Sequence, residues 1–437
     1  MVFIPKYWIL NTLYFTYMRV FFSGIGGVGI GPLALIARDM GHSVLGSDTQ
    51  ASRYTELMAS QGITVVIGQS AKAFTAVHRA QPIDWLVYTA ALPPSHPELK
   101  AAKQLGIRTS KRDEFLNQLI KLKKLKLIAI SGTHGKTTTT GMVIWLMKEL
   151  GQPFSYAIGT NLSFGPSGQY APHSQYFVYE ADEYDRNFLQ FSPFTSVIAS
   201  VDYDHPDTYP DKSDYLDAFR QFILRSHCAY LWRSDAEAIG GLPPAAVHTF
   251  GPEEDLSAIT LPGHNRRNAW LAVQSVLSLW PDRRLEELIS IINRFPGTER
   301  RFEKLADNLY TDYAHHPVEI SSTLELAAET SRDLVVVYQP HQNLRQREIM
   351  KTQGYKTAFA RAKQVYWLPT YLSREPKGLT VLAPEELIAG LDQPDKFQTA
   401  KLNDELTAAV NQHLADGQTV LLMGAGDIDD WARRSLV

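Results

Sequence analysis

The sequence of 437 residues contains one cysteine, Cys228, and no marked excess of charge. A single cysteine excludes an internal disulfide and a cluster of thiolate metal ligands, so a cytoplasmic location is expected. The 43 basic and 46 acidic residues leave a formal net charge of −3. A balance so close to neutral does not favour nucleic acid or an anionic membrane as a partner.

The apolar N-terminal stretch, MVFIPKYWILNTLYFTYMRVFF, does not have the pattern of a membrane span. Lys6, Asn11 and Arg19 interrupt it, and a span needs about 20 mainly apolar residues. It also lacks the small-residue cleavage site of a signal peptide. Because Met18 directly precedes the first strand pattern, we expect residues 1–17 to be an appendage or the result of a misassigned start.

Strand and helix patterns alternate along the rest of the chain. Short β-rich runs such as RVFFSGIG, LKLIAIS and DLVVVYQPH are each followed by a helical pattern. This alternation is typical of βαβ units and predicts parallel sheets. The length is too great for one hydrophobic core. The sequence therefore predicts three α/β units in succession.

Residues 24–29 read GIGGVG, between a strand pattern and a helix pattern, and Asp48 ends the following strand. Glycines let the backbone approach a pyrophosphate, and a helix N-terminus supplies N–H donors to it. A nicotinamide dinucleotide and a UDP-sugar both contain a pyrophosphate. The motif alone leaves both open, together with a glycine turn that binds no ligand.

The stretch AISGTHGKTTTT, residues 129–140, resembles a phosphate-binding loop with irregular spacing. In the common loop, G-x-x-x-x-G-K-[ST], a glycine stands where this chain has Ile130. A strand, a turn and a helix N-terminus facing an anion are still predicted. Lys136 can reach phosphate oxygens and Thr137 can bind magnesium. The alternative is a β-branched helix start with an exposed lysine, and the ring of His134 has no predicted role.

Two acidic clusters, EADEYD at 180–185 and DYDHPD at 202–207, each follow an apolar strand pattern. Ligands bind at the carboxyl edge of open α/β sheets, where both clusters are expected. Carboxylate, hydroxyl and imidazole groups together can hold Mg²⁺ or Mn²⁺ beside a triphosphate. Two solvated acidic turns, with His205 as a structural histidine, are the alternative.

Eight motifs occur in the order found in the Mur ligase family, which the chain resembles from about Met18 to its end. They are SGTHGKTTTT, EADEYD, DYDHPDTY, HNRRNA, TERRF, DYAHHP, QPH and GAGDI. The resemblance implies three α/β domains. They are a Rossmann-like UDP-sugar-binding domain at 18–122, a central P-loop ATPase-like domain with a mostly parallel sheet at 123–295, and a Rossmann-like amino-acid-binding and closure domain at 296–437.

Carried over motif by motif, the resemblance implies five groups of site residues. ATP binding is assigned to Gly132, Thr133, His134, Gly135, Lys136, Thr137, Asn265 and Asn268. UDP-sugar binding is assigned to Gly24, Gly26, Gly27, Gly29, Ser47 and Asp48. The implied metal ligands are Thr137, Glu180 and His205. The implied catalytic residues are Lys136, His205, Arg301 and Asp312, and the amino-acid and carboxylate site comprises His315, His341 and Arg345.

Three positions depart from patterns in the family or distinguish its branches. Several members carry a carbamylated lysine where this chain has Phe219, and its absence fits the alanine-adding branch. Thr311 stands where a second aspartate is common, and Gln342 where an arginine is common. Both departures fall in or next to the implied amino-acid site.

The resemblance implies an ATP-dependent ligase of peptidoglycan precursor synthesis, and hence of cell-wall formation. It would join L-alanine to the lactyl carboxylate of UDP-N-acetylmuramate through an acyl phosphate, with Mg²⁺ or Mn²⁺ and as a monomer or homodimer. A member that recycles a tripeptide onto the same sugar nucleotide is the nearest alternative. An NAD-dependent oxidoreductase would leave the lysine loop and acidic clusters unexplained, and the intact site argues against a silent nucleotide-binding regulator.

Overall fold

The computed structural model describes residues 17–89, 92–205, 208–329, 331–373, 375 and 378–437. The predictions for residues 1–16 and for Asp207 lie outside these ranges. The described chain contains three sheets of five, seven and six strands, with nearly all neighbouring strands parallel. It divides into two compact units. One comprises the described residues up to Ala258 with Asn268–Phe295, and the other comprises Ile259–Arg267 with Pro296–Val437. The predicted three-part α/β fold is confirmed.

The first sheet has the order β3-β2-β1-β4-β5, and all its strands are parallel. Its strands are β1 (Arg19–Ser23), β2 (Ser43–Asp48), β3 (Thr64–Ile67), β4 (Trp85–Tyr88) and β5 (Arg108–Lys111). The helices are α1 (Gly31–Asp39), α2 (Arg53–Ser60), α3 (Ala71–Ala80), α4 (Pro97–Gln104) and α5 (Arg112–Lys123). Strands β2 and β3 lie on one side of β1, and β4 and β5 lie on the other, so the order in which strands are added changes direction at β1. Such a switch point opens a ligand-binding crevice at the carboxyl ends of the strands.

The second sheet has the order β12-β11-β10-β6-β9-β7-β8, and β7 and β8 form its antiparallel pair. Its strands are β6 (Lys126–Ser131), β7 (Phe154–Ala157), β8 (Gly168–Gln169), β9 (Tyr176–Glu180), β10 (Thr195–Ile198), β11 (Cys228–Trp232) and β12 (Val247–Phe250). The helices are α6 (Lys136–Glu149), α7 (Lys212–Leu224), α8 (Arg233–Ile239), α9 (Asn265–Leu277) and α10 (Leu285–Ile292), with a 3₁₀ segment at Tyr184–Gln190.

The first two sheets share one hydrophobic core. Buried residues of the first sheet, such as Phe22 and Phe115, belong to the same cluster as Phe177 and Phe219 of the second. Helix α1 also packs directly on β8, where a Cβ at Gly168 would lie 2.2 Å from the backbone oxygen of Pro32. The loops at the carboxyl ends of both sheets are therefore held within one compact unit.

The third sheet lies in the other unit and has the order β13-β14-β18-β15-β16-β17, with β13 antiparallel to β14. Its strands are β13 (Glu303–Ala306), β14 (Leu309–Asp312), β15 (Leu334–Gln339), β16 (Gln364–Trp367), β17 (Phe397–Thr399) and β18 (Thr419–Gly424). The helices are α11 (Pro317–Ala328), α12 (Asn343–Lys351), α13 (Pro384–Ile388), α14 (Asp404–Ala415) and α15 (Ile428–Ser435), with a short 3₁₀ turn at Pro394–Lys396. Across the residues described, no helix combines the length and apolarity needed to cross a membrane.

Candidate active site

The stretch GTHGKT forms a tight turn between β6 and α6, as the sequence predicts. Gly132 and Gly135 have φ values of +135° and +81°, a region that side chains rarely adopt. A Cβ at Gly132 would lie 2.8 Å from the backbone nitrogen of Ser200, and one at Gly135 would lie 2.9 Å from Oδ1 of Asn268. The turn thus requires both glycines, and it brings the predicted ATP residue Asn268 against the loop.

Ser200, just after the neighbouring strand β10, and the loop residue Thr133 fix the shape of the loop. The hydroxyl of Ser200 accepts a hydrogen bond from the backbone N–H of His134 at 2.9 Å, and its carbonyl accepts one from the N–H of Thr133 at 2.9 Å. The hydroxyl of Thr133 lies 2.6 Å from the carbonyl oxygen of Asp202 and 2.7 Å from the hydroxyl of Tyr215. These hydrogen bonds fix the loop backbone at Thr133 and His134, between the two glycines.

Lys136 begins α6 and folds back across the loop. Its Nζ donates to the carbonyl of Gly132 at 2.5 Å, to that of Thr133 at 3.2 Å and to Oε1 of Glu183 at 2.8 Å. Burial alone would lower the pKa of Lys136, but the carboxylates of Glu183 and Asp182 outweigh it and raise the pKa above its ordinary value. The lysine is therefore a fixed positive charge at the loop.

Two of the three predicted metal ligands are in direct contact. The hydroxyl of Thr137 donates to Oε1 of Glu180 at 2.6 Å, and Oε2 of Glu180 accepts from the N–H of Gly159 at 2.7 Å. His205, the third, lies beside Glu183, with Nε2 3.7 Å from Oε1. Within the ranges that the structure covers, no three His, Cys, Asp or Glu side chains are grouped around a metal-sized space. Mg²⁺ usually takes only one or two protein oxygen ligands and completes its shell with phosphates and water, so Thr137 and Glu180 fit it.

The GIGGVG loop follows β1 at the switch point of the first sheet. The N–H groups of Gly24 and Ile25 both bond the carbonyl of Ser47, and the N–H of Gly26 bonds Oδ2 of Asp48 at 2.8 Å. A small pocket opens beside the loop. Its lining combines Gly26, Gly27 and Tyr54 with Thr160 and Ser167 of the second sheet's domain. Of the residues predicted to bind the UDP-sugar, Gly26 and Gly27 thus line this pocket, and Ser47 and Asp48 hold the backbone of the same loop.

A buried carboxyl supports this edge. Glu98, at the start of α4, is 1% exposed and accepts hydrogen bonds from the hydroxyls of Ser23 and Ser47. Burial raises the pKa of Glu98 above its ordinary value, although the two serine hydroxyls act in the opposite direction. The predicted site residue Ser47 is therefore held by a buried carboxyl group.

Arg301 and Asp312, the predicted catalytic residues of the other unit, lie beside Tyr313. Asp312 is buried and accepts from the N–H groups of Phe302 at 2.7 Å and Ala314 at 2.8 Å. Burial raises the pKa of Asp312, although the nearby Arg301 acts in the opposite direction. The guanidinium of Arg301 lies 5.2 Å from the centre of the Tyr313 ring. The structure therefore brings Arg301 and Asp312 together.

His315 and His341 also meet within that unit. Their ring centres are 5.6 Å apart, and the ring of His341 stacks on Tyr371. Nδ1 of His315 lies 3.3 Å from Oε2 of Glu319. Arg345 lies in the first turn of α12, which begins just after His341. His315 thus follows the carboxyl end of β14, and His341 and Arg345 follow that of β15, with β18 between the two strands.

Comparison with known proteins matches three family models in the order of the three sheets. Residues 19–124 match the model described as Mur ligase family, catalytic domain; residues 130–273 match the Mur ligase middle domain; residues 300–426 match the Mur ligase glutamate ligase domain. The chain belongs to the Mur ligase family.

Individual relatives support this membership. The UDP-N-acetylmuramate–L-alanine ligase of Chlorobium phaeovibrioides is 33% identical, with 94% of this chain and 95% of that protein covered. The enzyme of the same name from Clostridium perfringens is 30% identical over 94% and 96%. The crystal structure of the UDP-N-acetylmuramate–alanine ligase of Thermotoga maritima is 24% identical, covers 96% of this chain and 98% of that one, and has a TM-score of 0.77. That structure supports the same three-domain fold.

Departures from common Mur ligase patterns have partners in the structure. Phe219 is fully buried in α7, where its ring packs on Phe188. Thr311 is buried and donates to Oδ1 of Asp429 at 3.0 Å. Gln342 has a left-handed φ of +61°, and its backbone N–H bonds the carbonyl of Tyr371 at 2.9 Å. These positions are built into the core and turns of their domains.

Sequence reasoning missed several residues that shape the site. Ser200 carries no motif signal, because one serine after a strand is common. Glu183 lies in the EADEYD cluster, but nothing in the sequence separates it from its three acidic neighbours. Arg112 begins what reads as a basic surface helix, although its side chain is directed into the protein. Each of these residues contacts a partner far away in the sequence, so a local sequence pattern does not indicate its role.

Proposed function

We propose that this Mur ligase joins L-alanine to the lactyl carboxylate of UDP-N-acetylmuramate with consumption of ATP, in the synthesis of peptidoglycan precursors. The observation that carries the proposal is the GTHGKT turn, which combines a helix N-terminus, the fixed cation of Lys136 and the Thr137–Glu180 pair. The named relatives supply the identity of the substrates. The three proposed domains span residues 18–122, 123–295 and 296–437.

ATP is assigned to the loop of residues 132–137. Successive backbone N–H groups at a helix N-terminus favour a polyphosphate, and Lys136 adds a full positive charge. Asn268 lies against Gly135, and Asn265 is the first residue of the same helix α9. Both asparagines are assigned to ATP binding by their match to the family motif. The backbone of His134 is part of the loop, and its ring lies 3.7 Å from the Asp202 carboxylate.

Magnesium is assigned to Thr137 and Glu180, with His205 as a further candidate ligand. When bound there, the ion neutralises charge on the phosphate oxygens. The two oxygen donors are already in contact, which suits two ligands of one ion. His205 carries a left-handed φ of +59°, a conformation that is rarely adopted without a structural or functional reason.

The UDP-sugar is assigned to the pocket beside Gly24, Gly26, Gly27 and Gly29. Helix α1 begins directly after this loop, and its N-terminus favours the diphosphate. Ser47 and Asp48, at the end of β2, hold the loop backbone through their carbonyl and carboxylate oxygens. A nicotinamide dinucleotide would also fit a glycine loop, but it would leave Lys136 and Glu180 without a role.

Two displacements complete the proposed reaction. An oxygen of the lactyl carboxylate attacks the γ-phosphorus of ATP, the bond to the β-phosphate bridging oxygen breaks, and ADP leaves. The amino group of L-alanine then attacks the acyl carbon, loses a proton and displaces inorganic phosphate. The protein acts mainly through position and charge, and the cation of Lys136 favours the charge that develops on the transferred phosphoryl group.

The residues of the other unit are assigned by their match to the family motifs. Arg301 and Asp312 are proposed as catalytic residues, and His315, His341 and Arg345 as the site for the amino acid and the sugar's carboxylate. The proximity of His315 to His341, and of Arg301 to Asp312, supports two local groups formed by these four residues.

The decisive assay measures ADP release with ATP, Mg²⁺ and UDP-N-acetylmuramate plus L-alanine, glycine, L-serine or the tripeptide. Parallel samples follow NAD reduction. Release with L-alanine at the highest kcat/KM supports the proposal. A single methylene changes selectivity by about 10- to 200-fold, so glycine should be a weaker substrate rather than an inert one. Release with the tripeptide alone would make this a recycling ligase, and NAD reduction without ADP release would reject both.

A further inference from the structure

We propose that Arg112 is a positioning residue that joins the glycine loop of the UDP-sugar site to the lysine loop of the ATP site. The inference rests on the proposed function and deepens it, since it names a side chain on which both substrates depend. Arg112 begins α5, directly after the carboxyl end of β5. It matches none of the motifs that indicated the site.

One end of the Arg112 side chain lies against the glycine loop. A Cβ built on Gly29 would lie 1.5 Å from Nη1 and 2.8 Å from Cζ of Arg112. The guanidinium therefore occupies the space of a side chain at the last glycine of GIGGVG. Any larger residue at that position would displace the guanidinium, and loss of the guanidinium would leave this part of the loop unsupported.

The other nitrogens of the guanidinium reach two carboxylates. Nη2 lies 3.2 Å from Oδ2 of Asp182, in the EADEYD cluster, and Nε lies 3.4 Å from Oδ2 of Asp113. Asp113 is buried and also accepts from the hydroxyl of Tyr179 at 2.7 Å, in the strand that leads into the cluster. The Arg112 side chain is 15% exposed. Because the planar guanidinium contacts groups on several sides, its position and orientation are fixed.

The contacts continue from Asp182 to the ATP loop. The next residue, Glu183, bonds Nζ of Lys136 at 2.8 Å, and Lys136 bonds the carbonyl of Gly132. An unbroken series of contacts and covalent bonds thus runs from Gly29 through Arg112, Asp182–Glu183 and Lys136 to Gly132. Because both loops must be in place for the carboxylate to meet the γ-phosphate, a residue fixed to both is suited to set their separation.

The neighbouring residue provides a matched control. Lys111 forms a 2.8 Å ion pair with Asp185 of the same acidic cluster, but the two side chains are 41% and 45% exposed. Exposed pairs contribute little, so its loss should change kinetic constants by about twofold or less. A comparison of the two cations separates a general charge effect from the specific position of Arg112.

The experiment measures kcat and the KM values for ATP and for UDP-N-acetylmuramate in Arg112→Met, Arg112→Lys, Asp182→Asn, the Arg112→Met/Asp182→Asn double variant and Lys111→Met. Arg112→Met should raise both KM values at least about tenfold, and Arg112→Lys should give intermediate values, because it keeps the charge and loses the fork. The double variant should be no worse than the more severe single variant, as expected for two residues acting as one unit.

An increase in only one KM, or additive effects in the double variant, would overturn the proposal. If Arg112→Met does not fold, Arg112→Lys decides the matter, because wild-type KM values there would reject a positioning role. Equilibrium binding of UDP and of ADP to each folded variant gives a readout independent of turnover. If the wild-type protein releases no ADP in the ligase assay, the proposed function fails. In that case the positioning role of Arg112 is judged from equilibrium binding alone. Arg112→Lys should weaken the binding of both UDP and ADP.

Discussion

Nζ of Lys136 lies 2.8 Å from Oε1 of Glu183, whose side chain is 0% exposed. The lysine of the phosphate loop is therefore one half of a buried ion pair, as well as a donor to the loop carbonyls. His205 lies on the same carboxylate oxygen at 3.7 Å. Glu183 thus ties the loop to the second acidic cluster, and removing its cation should affect both catalysis and stability.

Lys136→Ala should abolish ADP release, with kcat at least about a hundredfold lower, because a preorganised charge at the phosphoryl group is lost. The chain should remain folded at room temperature but unfold more easily. Removing one partner of a buried pair costs about 3–5 kcal/mol, which is less than the total stability of many domains. Steady-state kinetics and denaturant unfolding measure the two effects separately.

The double variant Lys136→Ala/Glu183→Gln is the control for this pair. It removes the unpaired buried charge, so the free energy of unfolding should recover toward that of the wild type while activity stays lost. Comparable turnover in Lys136→Ala would show that the phosphate loop is wrongly assigned. A double variant that is less stable than either single variant would contradict the ion-pair explanation.

Substitutions of Thr137 should change the dependence on magnesium. Thr137→Val removes the hydroxyl that donates to Glu180 and should raise the half-saturating Mg²⁺ concentration by about tenfold or more. Thr137→Ser keeps the hydroxyl and should remain close to the wild type. Titration of ADP release with Mg²⁺ at fixed ATP measures the difference. Equal Mg²⁺ dependence in the valine and serine variants would remove Thr137 from the set of candidate ligands.

The strands and glycine turns were the most predictable part of this protein. Runs such as LKLIAIS are long enough and apolar enough to be recognised as buried strands, and the structure has β6 at Lys126–Ser131. Helix α6 was less predictable. Its β-branched residues Thr138 to Thr140 are poor helix formers, yet they lie within the helix, which begins at Lys136. All three threonines are buried, so tertiary packing outweighs their propensity.

The contacts between distant segments were the least predictable part. The acidic clusters are expected at the sheet edge because each follows an apolar strand pattern, and the first cluster begins at Glu180, the last residue of β9. Nothing local indicates that Glu183, rather than a neighbour, would bond Lys136, or that Arg112 would rest on Gly29. Each contact joins residues that follow two different strands of one sheet, and the sequence pattern of a strand does not encode which side chains beyond its end will meet.

Glu98→Gln should remove a pH dependence of stability. The pKa of Glu98 is raised by burial, so its contribution to stability is fully present below the ordinary value of 4.5 and is lost as the pH rises through the higher folded-state value. The stability of Glu98→Gln relative to wild type should therefore increase as the pH rises from that ordinary value. Denaturant unfolding of both proteins across this range measures the trend.

Ser23→Ala tests the cause of that shift. The hydroxyl of Ser23 favours the ionised carboxylate, so its removal should raise the folded-state pKa of Glu98 further and enlarge the loss of stability at rising pH. Stability curves of wild type and Glu98→Gln that run parallel over the whole range would show that Glu98 does not titrate differently in the folded and unfolded states.

Gly46→Ala should destabilise the first domain and weaken UDP binding. A Cβ at Gly46 would lie 2.3 Å from the backbone oxygen of Phe22, its partner in the β1–β2 pair. Neither strand can move without shifting Ser23 and Gly24, where the glycine loop begins. We expect a loss of about 1–3 kcal/mol in the free energy of unfolding, the usual cost of overpacking a core. UDP affinity, measured by calorimetry, should fall in the protein that remains folded.

Gly390→Ala is the matched control, because this glycine is exposed and a Cβ there would meet no atom within 4 Å. It should leave UDP affinity unchanged, and it should leave stability unchanged or raise it by up to about 1 kcal/mol, since alanine restricts the unfolded chain. If Gly46→Ala bound UDP as tightly as Gly390→Ala while unfolding more easily, the β1–β2 backbone would stabilise the fold without setting the shape of the loop. A parallel loss of stability and affinity would show that the close pairing of these two strands positions the binding loop.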